Sequence, residues 1–260
     1  MKLNTYKINK TSSPIYKTPN IKNPIETEGV YGEIFLVQKI KNDFAFGVLQ
    51  IDNYKGWIKL DDLKQVKLNN NYKVIYLNTL IKDKPDLKSI TLGNLSFGSQ
   101  ISVIKKENEW SSFKFYYKGK LKIGFIYSNH IYKLHEKLKK NWIDLVENFI
   151  NVPYKWGGRS FFGVDCSSLI QLSIIVGKNK FFPRNSYDQY LFSRNHGEIT
   201  TKTKRGTLVF WKDHVGLMLS NENIIHANAF HMKVEIEPLL EAKKRIEKNY
   251  SFLNYINLNY

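Results

Sequence analysis

The chain has 260 residues, 42% of them hydrophobic and 14% aromatic, and a formal net charge of +17 at pH 7. That apolar content fills one or two packed cores and excludes an intrinsically disordered chain, no window approaches the ~20 apolar residues of a membrane-spanning helix, and a single cysteine excludes an intrachain disulfide and fits a reducing compartment. The basic residues are spread along the chain, and their densest groups, Lys137-Leu138-Lys139-Lys140 and Lys243-Lys244-Arg245, read as solvated helix faces, so no nucleic-acid partner is expected.

Residues 1–28 hold Pro14, Pro19 and Pro24 among polar residues without periodicity, which predicts an extended leader. Its first ten residues lack an apolar h-region, so no Sec signal is expected and the location follows as cytoplasmic, with non-classical export as the alternative. Short strand-like runs then begin: Ile34 to Val37, Phe44 to Ile51, a turn at Asp52-Asn53, and Gly56-Trp57-Ile58. They predict a small β-barrel over 29–68, and Tyr54-Lys55-Gly56-Trp57-Ile58 is similar to a segment of bacterial SH3-like barrels. A second set, Val74 to Leu77, Gln100 to Ile104, Trp110 to Tyr117 and Lys122 to Ile126, spans 69–133. Trp110 and Gly124-Phe125-Ile126 stand about where Phe44 and Gly56-Trp57-Ile58 stand in the first set, which suggests two barrels; one larger β-domain is the other arrangement.

In residues 134–260, Leu138, Trp142, Leu145, Val146 and Phe149 mark one face of a helix that ends before Pro153. Asp165 is placed to cap a second helix that starts at Cys166, with Gly177 to close it. Leu208 to Trp211, Val215 to Leu219 and Asn223 to Ala227 read as consecutive antiparallel strands, followed by a strand at Val234 to Glu237 and a polar helix from Leu239 to Lys248. Neighbouring strands would then bring His214 and His226 together.

The chemistry converges on Cys166. A thiol in the first turn of a helix is expected to have a lowered pKa and to be the better nucleophile for it. A Cys, then a His, then a second polar group to orient that His, is the constellation of nucleophilic amide cleavage. His214 and His226 fit it; His231 competes with His226 as the orienter, while spacing suggests no partner for His130, His135 or His196. A metal site is not expected, because the Cys and His residues lack ligand spacing, and no cofactor is implied.

Pro153 to Gly158, Asp165-Cys166-Ser167, Pro183-Arg184-Asn185-Ser186, His214-Val215-Gly216 and the later His226 together resemble the NlpC-type peptidases of bacterial cell-wall peptides, over about the C-terminal half of the chain. The resemblance implies an α+β fold, a papain-like catalytic domain preceded by one or two SH3-like barrels. It implies cleavage beside γ-linked D-glutamate in peptidoglycan stem peptides, with Cys166 as nucleophile, His214 as general base, His226 as its orienter, and Tyr154 with the backbone N–H of Cys166 holding the oxyanion. Trp156 would wall the cleft, and Ser167 and Ser186 would contact substrate. Asp165 would contact the peptide's amine, cap the helix, or both.

Three departures from the family pattern are Ser168, Gly206-Thr207, and Asn185, where relatives acting on free muropeptides often carry an Asp that pairs with the substrate amine. The expected partners are peptidoglycan-derived peptides, bound by a monomer. An amidase or acyltransferase on the same fold, and a cell-wall peptide-binding module with a relic catalytic domain, are the rival readings.

Overall fold

The computed structural model describes residues 4–65 and 69–259, which divide into a unit ending at Lys137 and one beginning at Leu138. The first three residues of the expected leader and the expected end of the first barrel at residue 68 lie outside the described residues.

In the first unit, β1 (Asn4–Ile8), β2 (Ser12–Tyr16), β3 (Ile25–Val30), β4 (Ile34–Lys41), β5 (Phe44–Leu49), β6 (Tyr54–Lys59) and β7 (Leu63–Lys64) form one sheet in the order β3-β2-β6-β5-β4-β1-β7. Residues 4–28 therefore contribute three strands to this sheet and do not form an extended leader. Ile8 and Ile15 are buried in the same core as Phe35, Val37, Leu49 and Ile58, and that burial outweighs the proline signal. Pro19 and Pro24 fall in the β2–β3 connection, and Pro14 is tolerated because the β2–β6 ladder uses only Ile15 and Tyr16.

A second core, built from Val74, Leu95, Ile101, Phe113, Phe115, Ile126 and Ile131 among others, lies inside a second set of strands. These are β8 (Tyr72–Val74), β9 (Asn78–Lys82), β10 (Thr91–Ser96), β11 (Gln100–Ile101), β12 (Val103–Glu107), β13 (Trp110–Tyr117), β14 (Lys120–Tyr127) and β15 (Ile131–Lys133). They pair as β10-β9-β14-β13-β12 and β11-β8-β15. The two cores lie in one unit and are joined by backbone and side-chain bonds such as Gln100 N–H to the Tyr31 carbonyl at 2.8 Å and Lys7 Nζ to Asn70 Oδ1 at 2.8 Å.

The second unit comprises α1 (Trp142–Glu147), the short pair β16 (Arg159–Ser160) and β17 (Gly163–Val164), α2 (Cys166–Lys178), α3 (Ser186–His196), β18 (Gly197–Thr200), β19 (Thr207–Trp211), β20 (His214–Met218), β21 (Asn223–Asn228), β22 (Lys233–Pro238), α4 (Leu239–Ile246) and β23 (Phe252–Leu258). Its sheet runs β18-β23-β19-β20-β21-β22, all antiparallel, so the last strand inserts beside β19. Val209, Trp211, Met218 and Ile224 share a buried cluster with Leu239 and Ala242 of α4. By the two-residue period of a strand, His214, His226 and Glu237 belong to that same face.

The first helix is shorter than its periodicity suggests. Asn141 caps it through Ile143 N–H, and Leu138 instead bonds the Gly177 carbonyl. Gly177 does not close α2, which runs on to a left-handed Asn179. A Cβ at Gly177 would stand 2.8 Å from Trp142 Cβ, so the glycine serves the close approach of α1 to α2.

Candidate active site

The position of Cys166, the candidate nucleophile, follows from a local capping exchange. Asp165 Oδ1 accepts from Ser168 N–H at 2.8 Å while Ser168 Oγ accepts from Asp165 N–H at 3.0 Å, which satisfies both groups at the helix start and makes Cys166 the first residue of α2. α2 packs against β20 and β21, and the backbone N–H groups of Val215 and Ser167 act on the sulfur. The expected lowering of the thiol pKa is overturned. Cys166 is buried, and burial, reinforced by the Asp165 carboxylate, outweighs those N–H groups and pushes it up to about 12. The resting group is a thiol. Iodoacetamide labelling of the native protein should consequently be slow at neutral pH and keep accelerating above the ~8.5 at which a free cysteine is half ionised. A rate that levels off near neutrality would contradict this reading.

The tight turn between β19 and β20, with Asp213 at φ 63°, sets His214 opposite Trp211 at the start of β20. From there a chain of side chains crosses three strands. His214 Nε2 lies 2.8 Å from His226 Nδ1, and His226 Nε2 lies 2.7 Å from Glu237 Oε1. Glu237 stands diagonally from His226 across the β21–β22 ladder, on the same face. Arg245 on α4 closes the chain, its Nη1 donating to Glu237 Oε2 at 2.8 Å and its Nη2 to Oε1. His231 is not the partner of His214; it bonds Asn228.

Burial lowers the pKa of His214 well below its ordinary value, helped by repulsion of its protonated form from His226 and from the Arg245 guanidinium, and burial also lowers His226 against the pull of Glu237. For Glu237 burial acts upward, but the bonds from His226 and Arg245 prevail and bring it down to about 2. At neutral pH the site therefore holds two neutral imidazoles and an ionised carboxylate. Glu237 and Arg245 were missed in the sequence. The Val234 to Glu237 alternation reads as a strand with a wet acidic face, and Lys243-Lys244-Arg245 as a solvated helix face, whereas Arg245 turns inward to Glu237 and Lys243 reaches Tyr255 Oη at 3.1 Å.

Tyr154 is half-buried, anchored by its backbone N–H to the Met232 carbonyl and by a bridge to Val164. Its phenol pKa is raised by burial and by the nearby Cys166 and Asp165, so it stays a proton donor. The loop after it is shaped by Gly158, where a Cβ would meet the Gly163 carbonyl at 2.4 Å. Trp156 on this loop is 67% exposed.

Asp165 and Ser167, the expected substrate contacts, are committed to an internal network. Arg184 donates from Nη1 to Asp165 Oδ1 at 3.0 Å and to Ser167 Oγ at 2.8 Å, and from Nη2 to Asp165 Oδ2 at 2.6 Å. Ser167 Oγ and Gly157 N–H donate to the same carboxylate. Asn185 and the half-buried Ser186 open α3, but Asn185 caps nothing with its side chain: its Nδ2 donates to Asp188 Oδ2 at 3.0 Å, leaving an exposed carboxylate one turn into the helix.

Comparison with known proteins identifies relatives of both parts of the chain. Residues 151–249 match the NlpC/P60 family, and residues 15–63 match the bacterial dipeptidyl-peptidase SH3 domain. The chain is 24% identical over 245 residues to a γ-D-glutamyl-L-lysine dipeptidyl-peptidase of Bacillus subtilis, covering 84% of this chain and 77% of that protein. It is 22% identical over 248 residues to dipeptidyl-peptidase 6 of Lysinibacillus sphaericus, covering 87% and 89%. Its fold resembles a crystal structure of an NlpC/P60 family protein from Bacillus cereus, with a TM-score of 0.78 at 18% identity over 96% of this chain and 98% of that one.

Proposed function

From a chain that carries an NlpC/P60 domain behind a bacterial SH3-like domain, we propose a cysteine peptidase that releases an N-terminal dipeptide from peptidoglycan stem peptides by cutting the γ-D-glutamyl bond to the third residue. The observation that carries the proposal is a cysteine at the capped start of α2, within reach of the N–H of Val215, whose chain neighbour His214 is tied through Nε2 and His226 to a buried carboxylate. The names of the dipeptidyl-peptidase relatives support the choice of bond and substrate.

Because thiol and imidazole are both neutral at rest, proton transfer from Cys166 to His214 accompanies attack of the sulfur on the amide carbon. The C–S bond forms, and the carbonyl becomes an oxyanion facing the Tyr154 phenol and the Cys166 backbone N–H. Collapse of that intermediate breaks the C–N bond while His214 returns the proton to the leaving amine. Water then hydrolyses the thioester, with His214 again as base. The oxyanion donors act only once charge has developed, a contribution of about 3–4 kcal/mol for one donor.

Incubation with L-Ala-γ-D-Glu-L-Lys and its diaminopimelate counterpart, followed by mass spectrometry, is expected to yield L-Ala-D-Glu and the freed diamino acid. The N-acetylated peptide should be cut more slowly, since the exposed carboxylate of Asp188 is available to a free amine where Asn185 supplies no charge. Release of ammonia or of a transferred acyl product in place of the dipeptide would instead indicate an amidase or transferase, and no turnover of any stem peptide would overturn the proposal.

A further inference from the structure

We infer that Glu237 is a positioning residue for the reaction: acting through His226, it sets the tautomers of both histidines and leaves Nδ1 of His214 as the bare nitrogen that takes the Cys166 proton. The inference rests on the peptidase reading for its catalytic consequence, and on hydrogen-bond chemistry for the rest.

An ionised carboxylate only accepts hydrogen bonds. At 2.7 Å from Glu237 Oε1, His226 Nε2 must carry its proton. In a neutral ring Nδ1 is then bare, so it accepts from His214 at 2.8 Å, and His214 must carry its proton on Nε2. His214 Nδ1 is the nitrogen left over. Without an acceptor at position 237 the chain has a second, equally good polarity, in which His226 Nδ1–H donates to His214 Nε2 and His214 Nδ1 bears a hydrogen. In that arrangement the ring cannot accept the thiol's proton through Nδ1.

Arg245 keeps the carboxylate ionised and pointed, since it grips both oxygens from α4. Burial makes the device selective: His226 is 0% exposed and Glu237 9%, so water cannot substitute for the acceptor. The charged and titratable groups facing Glu237 are His226 on β21, Arg245 on α4 and His231, whose Nδ1 is 3.9 Å from Oε1; His214 on β20 lies one hydrogen bond beyond.

The test combines Glu237→Gln with nitrogen NMR of histidine-labelled full-length protein. In the wild type both rings are expected as Nε2–H tautomers. Glu237→Gln, which keeps the shape and loses the charge, should mix the tautomers and lower kcat by at least about tenfold with little change in KM. Its kcat/KM acid limb should also move to lower pH, because an imidazolium at His214 loses its compensating negative charge while Arg245 remains. A purely structural disturbance does the reverse: admitting water relieves the burial that depresses these histidines, and moves the limb up.

Wild-type rings found in the Nδ1–H form would overturn the inference, as would a Glu237→Gln enzyme with unaltered kcat and pH profile. If Glu237→Gln does not fold, the wild-type tautomers alone decide. If the wild type has the expected tautomers but no activity on stem peptides, the functional reading fails and the tautomer assignment stands.

Discussion

Cys166→Ala should abolish stem-peptide hydrolysis, a loss on the order of 10⁴-fold or more, without disturbing the fold. The substitution removes the sulfur and nothing else at the start of α2. Ala is the best helix former, and the Asp165–Ser168 exchange that begins the helix does not involve residue 166, so stability should shift by less than about 1 kcal/mol. His214→Ala should cost nearly as much in rate, since a neutral thiol with its pKa pushed up to about 12 has no route to a thiolate without a base. His226→Ala should cost less, because the orienter governs geometry and tautomer and does not itself take the thiol's proton. Turnover by Cys166→Ala near the wild-type rate would end the cysteine mechanism.

The largest expected effect on stability comes from Arg184→Leu. Arg184 and Asp165 are 3% and 11% exposed at their side chains, and the guanidinium spans both carboxylate oxygens. Removing it strands a carboxylate inside the protein with only the N–H groups of Gly157 and Ser168 and the Ser167 hydroxyl, a loss of about 3–5 kcal/mol for a broken buried pair. The same carboxylate caps the helix that begins with Cys166, so the destabilisation should appear together with reduced kcat. Arg184→Lys should fall between, since an ammonium keeps the charge but cannot bond both oxygens in one plane. Urea denaturation of the three proteins at neutral pH measures it. A loss below about 1 kcal/mol for Arg184→Leu would show that Asp165 needs only its backbone and hydroxyl donors.

The placement of Cys166 at a capped helix start was legible because it is a local matter. Asp165, Cys166 and Ser168 satisfy one another within four residues, and a capping exchange of that kind is decided by side-chain type and backbone spacing before any tertiary contact forms. The pairing of His214 with His226 was legible for a related reason: they sit on strands that follow each other directly, and consecutive strands with short connections pair. The later strands of the first unit could be read from their apolar alternation. Residues 4–28 could not, because prolines and polar residues look alike in a free segment and in strands whose Ile8 and Ile15 are claimed by a distant core.

What only the tertiary structure decided involves partners far apart in the chain or the dielectric around them. Glu237 and Arg245 look like solvent-facing charges until the β21–β22 register and the seat of α4 turn them toward His226. Arg184 sits inside a recognised motif, yet its bond to Asp165 depends on how α2 and α3 pack. The thiol's pKa is decided the same way. A helix start favours the thiolate, but its pull is short-ranged and modest, while the loss of water around a buried sulfur is a property of everything folded over it, and here that burial prevails.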